Sequence, residues 1–155
     1  MASQPARTRA GGSYARSLPS HDWELLIRLP PRVLTAVSVV SPEPPAVTEI
    51  LAGVAAIAAG RTDASALVRE VVAAIYAGDD VSPEAVPPEV VHGDCVLAGQ
   101  ALAQRVPTGE ADGYRRWVRR IALAACGLGA TPPVDDPAAA AQHRLLDRFE
   151  HALAG

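Results

Sequence analysis

The sequence predicts an all-α fold, a compact bundle of five to six helices joined by proline-rich loops, and three observations carry that expectation. Apolar residues recur at three- and four-residue spacing through most of the chain, as they do in one-sided helices. Proline and glycine cluster at the ends of those periodic stretches, where they stop helices. No stretch alternates polar and apolar residues in the manner of a half-buried strand. At 155 residues the chain has the length of one domain. A domain of that size buries about 68–70% of its unfolded surface, enough to fold without a metal or a disulfide.

The elements follow in order. Residues 1–20, "MASQPARTRAGGSYARSLPS", carry Arg7, Arg9 and Arg16, no acid, and no apolar run of the secretory kind. They read as a disordered, solubilising tail ahead of a single domain over 21–155. Ser20 or Asp22 can cap the first helix by accepting free backbone N–H groups. Pro30 and Pro31 are expected to kink or break it, because proline lacks a donor and crowds the preceding turn. Pro31 is then free to open a new segment.

"SPEPP" at 41–45 is a turn. Val47, Ile50, Leu51, Val54 and Ala58 mark a helix that is apolar almost all round, and so is expected at the centre of the fold. Gly60 is expected to end it in the left-handed conformation. Thr62 or Asp63 is the expected cap of a helix carrying Leu67, Val68, Val71, Ile75 and Tyr76, closed by Gly78. Residues 79–89, "DDVSPEAVPPE", read as a loop. A helix from about Glu89 to Arg105 turns Val91, Cys95, Ala98 and Leu102 inward, and Pro107 stops it. Thr108 is the expected cap of the next helix, which contains "YRRWVRRIALAACG" at 114–127. After a loop over 127–137, Asp136 and Pro137 open a last helix ending near Ala154.

Composition narrows the function. A net charge of −3 argues against a general nucleic-acid binder, which is usually basic. The longest apolar run, "ILAGVAAIAAG", falls far short of the ~20 residues that span a bilayer. The alanine-rich chain contains no Lys, so the choice of Arg at any one position says little by itself. Cys95 and Cys126 read as reduced, buried thiols of a soluble, cytoplasmic protein rather than as a secreted disulfide framework.

The stretch at 114–127 is the most informative. Tyr114, Trp117, Val118, Ile121, Ala122 and Ala125 share one side of a helix, and Arg115, Arg116, Arg119 and Arg120 crowd the other. Asp112 can pair with Arg115 or Arg116 at helical spacing, but one acid cannot neutralise four guanidiniums. The stripe is either solvated and paired with the chain's own acids, the 79–89 loop among them, or directed at an anion. Planar guanidinium forks suit a carboxylate or phosphate, and an acidic protein surface or an anionic small molecule fits the scale of the stripe. Nucleic-acid binding relies on a larger basic footprint.

Catalytic candidates are few. "HGDC" at 92–95 sets His92 within one helical turn of Cys95, a pairing that can activate a thiolate or supply two metal ligands, though no further ligands for zinc are visible, and Tyr114 can add a hydroxyl. The alternative is a half-exposed histidine beside a buried core cysteine. His143, Asp147 and His151 share one helix face, which reads as a polar outer face rather than a metal site. The paired carboxylates Asp79–Asp80 and Asp135–Asp136 are explained by turns and capping. No phosphate-binding glycine loop, zinc-protease motif, nucleophile elbow or calcium loop is present.

The order of "DWELLIRLPPRVLTAV" near the start and "YRRWVRRIALAACGLG" before a short last helix resembles small helical proteins of the tellurite-resistance TerB-like type. The resemblance spans roughly residues 22–154 and rests on apolar spacing, Trp23, Trp117 and the Tyr114–Arg115 pair. It implies an all-helical fold. The acidic cluster that would imply metal binding in such proteins is missing from this chain. The sequence therefore reads as a binding module for an acidic protein surface or an anionic or apolar small ligand, with no cofactor and no metal. Two other readings stand beside it. One is a small cofactor-independent enzyme of cyclase or isomerase type, acting on an apolar substrate between helices. The other is a homo-oligomer held by apolar faces.

Overall fold

A computed structural model describes residues 13–39, 47–78, 86–127 and 136–155. Among the described residues the chain is all-helical, with no strand, and no helix is long and apolar enough to cross a membrane. The described residues form seven α-helices rather than five or six: α1 (Ser13–Ser17), α2 (Ser20–Val39), α3 (Val47–Ala59), α4 (Ala66–Ala77), α5 (Pro88–Arg105), α6 (Thr108–Cys126) and α7 (Pro137–Leu153). A 3₁₀ turn, Gly60–Thr62, follows α3.

Helix α6 organises the bundle, packing against α2, α3, α4, α5 and α7. The reason is its stripe: Tyr114, Trp117, Val118, Ile121, Ala122 and Ala125 are all buried, as their spacing requires. Val91, Cys95, Ala98 and Leu102 of α5 are likewise completely enclosed. Asp136 caps α7, accepting from the backbone N–H groups of Ala138 and Ala139. Gly127 closes α6 with φ +62°, the left-handed turn that glycine adopts at low cost.

Several expectations are corrected. The expected tail is helical from Ser13: α1 buries Ala15, Leu18 after it is also buried, and the Tyr14 N–H donates to the Glu70 carboxylate. Residues 1–12 lie outside the described ones, as do the turn at 41–45, residues 79–85 of the expected 79–89 loop, and residues 128–135. Pro30 and Pro31 sit inside one continuous helix rather than ending it. Proline at position 30 removes the N–H that Leu26 O needs one turn back, and the Tyr114 hydroxyl replaces it, donating to Leu26 O at 2.8 Å.

Helix α3 is not central. Its face toward α6 is buried at Gly53 and Ile57, but Val47 is 71% and Leu51 60% exposed, with Ile50 and Val54 also open. Gly60 is not left-handed. It opens the 3₁₀ turn, and glycine is needed there because a Cβ would stand 2.7 Å from Val72 Cγ2 and 2.8 Å from Trp117 Nε1. The cap of α4 is Ser65, not Thr62 or Asp63. Glu110 of α6 reinforces it, accepting from Ser65 Oγ at 2.7 Å and Leu67 N at 2.9 Å. Pro107 rather than Thr108 occupies the cap position of α6.

Candidate functional site

The arginine stripe of α6 gathers four guanidiniums within six residues, and the four side chains have four different fates. Arg115 is drawn inward. Its Nε donates to Leu153 O at 2.6 Å, satisfying a carbonyl at the α7 C-terminus that has no helical donor, and another guanidinium nitrogen reaches Asp112 at 3.0 Å. Arg119 meets both carboxylate oxygens of Glu150 on α7 at 2.6 Å. Arg120 donates to Asp63 at 2.8 Å. Arg116 is exposed and has no acidic partner among the described residues.

The stripe is thus largely matched by the chain's own acids, but the matches are weak ones. Arg119 and Glu150 are each nearly half exposed, and Arg120 more than half. A pair as open as Arg119–Glu150 contributes about 0.2–1 kcal/mol, so a competing carboxylate can exchange with Glu150 at little cost, whereas Asp63 is only 13% exposed and also accepts the Ser65 N–H.

Two clefts flank the stripe. One, of about 170 Å³, lies between α6 and α7. Val33, Val118, Ala122, Leu146, Phe149 and Leu153 make it apolar, and Arg115, Arg116, Arg119 and Glu150 stand at its edge. The other is a broader, more polar groove between α6 and the end of the 3₁₀ turn, lined by Thr62, Asp63, Arg116, Arg119, Arg120 and Leu123. Arg116 and Arg119 belong to both and form the ridge between them.

The catalytic candidates do not join this arrangement. Cys95 is completely buried, and burial, then the Asp94 charge, push its thiol up to about 12. At neutral pH it is a thiol, not the nucleophilic thiolate. His92 is half-buried and shares no hydrogen bond with Cys95 among the described contacts. Tyr114 is wholly enclosed, its hydroxyl held well above the ordinary 10.0 by burial and then by Cys95, and it is committed as a donor to Leu26 O. None of the three lines either cleft. Cys126 is buried and free, as is Cys95. Among the described residues no three His, Cys, Asp or Glu side chains gather as a metal site would require.

In "HGDC" the residue that pairs is Asp94, which receives Arg32 of α2 at 2.7 Å, with the two side chains only 13% and 16% exposed. Sequence reasoning also missed Glu150 and Asp63, the acids that meet Arg119 and Arg120. Their partners lie 31 and 57 residues away, and no local spacing announces them. The Glu150 position does have a signal: it lies one and three residues from the apolar positions Phe149 and Leu153, at the edge of the α7 face that turns toward α6.

No family model, curated protein or solved structure matches the chain. The functional reading therefore rests on the site itself.

Proposed function

We propose that this domain is a binding module for a ligand that joins an anionic group to an apolar body. One observation carries the reading: the apolar cleft between α6 and α7 has arginines at its edge, one of them, Arg116, without an acidic partner among the described residues. The size supports it too. An apolar cavity of about 150 Å³ holds a benzene ring, and this cleft measures about 170 Å³. A ring or short branched chain would fill the cleft, leaving its carboxylate against Arg116 and Arg119.

Nothing favours the enzyme reading in the same way, because His92, Cys95 and Tyr114 converge on neither cleft. The free thiols of Cys95 and Cys126 support a reducing, cytoplasmic setting.

The test uses 3-phenylpropionate as probe and amide chemical shifts as readout. The expected result is a saturable shift confined to α6 and α7, with a dissociation constant near 1 mM (about −4 kcal/mol). Arg116→Glu should weaken it at least about fivefold while leaving the helical circular dichroism intact. Binding untouched by that reversal, or no binding at all, overturns the reading.

A further inference from the structure

The clefts on either side of the arginine ridge fit a more specific occupant, and the argument rests on the binding reading above. We infer that the ligand is an extended acidic segment of a partner protein, with one bulky apolar side chain as its anchor and acids at alternate positions beside it.

Three features lead there. The apolar cleft, at about 170 Å³, is smaller than the roughly 300–1,000 Å³ of sites that engulf a whole small molecule. It matches a single leucine or phenylalanine side chain. The basic surface then continues past the cleft, over the ridge of Arg116 and Arg119 and into the groove beside Arg120. A small carboxylate seated in the cleft has no use for Arg120, whereas a chain crossing the ridge meets it.

The spacing agrees as well. Arg116 and Arg120 lie one turn apart on the same face, about 6 Å along the helix axis. Alternate side chains of an extended peptide lie about 6.6 Å apart. Acids two residues apart can therefore face both arginines together. Glu150 and Asp63 already hold carboxylates against Arg119 and Arg120 at 2.6 and 2.8 Å. Glu150, nearly half exposed, occupies a place that a partner's acid would take and is displaceable, while Arg120, 61% exposed, keeps room for a second carboxylate beside the largely buried Asp63.

The peptide Ac-Glu-Gly-Glu-Gly-Phe-Gly-Glu-Gly-Glu-NH₂ tests this without a choice of chain direction, since its acids flank the anchor symmetrically. Its affinity for the full chain is compared by amide shifts with that of the same peptide carrying Ala at the centre, and with that of 3-phenylpropionate. The Phe peptide should bind at least tenfold more tightly than either. Arg120→Glu should weaken the peptide at least fivefold and leave 3-phenylpropionate unchanged. Ala154→Trp, an exposed change at the cleft edge, should erase the advantage of Phe over Ala.

Equal binding of the Phe and Ala peptides overturns the anchor. Equal binding of the Phe peptide and 3-phenylpropionate overturns the extended segment while the binding reading stands. Failure of all three probes, at concentrations up to 10-fold above the expected constant, overturns both.

Discussion

Helices α3 and α6 pack against each other, yet their sequences give opposite guidance about where they sit. Helix α6 has an apolar stripe and a charged one, and the stripe identifies its buried residues one by one. Helix α3 is apolar nearly all round, and most of that surface faces outward, with Val47, Ile50, Leu51 and Val54 exposed. Periodicity tells which side of a helix meets its neighbours. Uniform apolarity tells nothing about how many neighbours there are. Only Gly53 and Ile57 of α3 are buried, where Gly53 lets Leu34 and Ala125 approach.

The contrast can be tested across a descending scale of effects. Trp117→Ala should cost most. Trp117 is 1% exposed, donates to Ala56 O at 3.1 Å and packs edge-on against Tyr114. A loss of about 3–5 kcal/mol in urea unfolding is a large part of the 5–15 kcal/mol that holds a domain together.

Tyr114→Phe comes next, at about 1–3 kcal/mol, because it leaves the buried Leu26 carbonyl without a donor. Combining it with Pro30→Ala sharpens the point. The restored N–H can serve that carbonyl, so Tyr114→Phe should cost less in the Pro30→Ala background. An undiminished cost there would show that the hydroxyl is not standing in for the missing backbone donor.

Glu110→Ala should cost about 1 kcal/mol, the usual value of a lost helix cap. Its carboxyl is held below the ordinary 4.5 by the Leu67 N–H, then by the Ser65 hydroxyl. With the folded value the lower one, this contribution is complete above about pH 4.5 and is lost as the pH falls through the folded value. Glu110→Gln should flatten that limb of a stability–pH profile. A profile unchanged by the substitution would remove Glu110 from the cap of α4.

Leu51→Ser, on the open side of α3, should change stability by no more than about 0.5 kcal/mol. A loss approaching that of Trp117→Ala would mean that this side is covered, and the contrast between the two helices would fail.

What was legible in the sequence follows the same division. The helical class, the inner faces of α5 and α6, and the entry to α7 at Asp136–Pro137 are local properties, written in spacing and capping residues. The fates of the four arginines are not local. Only the Arg115–Asp112 pair lies within one turn, and it alone was visible as one of two options. Glu150 and Asp63 reach the stripe because α7 and the segment after the 3₁₀ turn pack beside α6. Arg32 reaches Asp94 because α2 runs unbroken past two prolines. That continuity was unreadable, since the donor that sustains it stands 88 residues downstream.

The same hydroxyl sets a clock on synthesis. At roughly 5–20 residues per second, Tyr114 is made about 4–18 s after Leu26. Until then the nascent N-terminal half carries a proline-interrupted segment whose carbonyl can be served only by water. The first long helix to be translated therefore gains the donor for its Leu26 carbonyl only once α6 has been made.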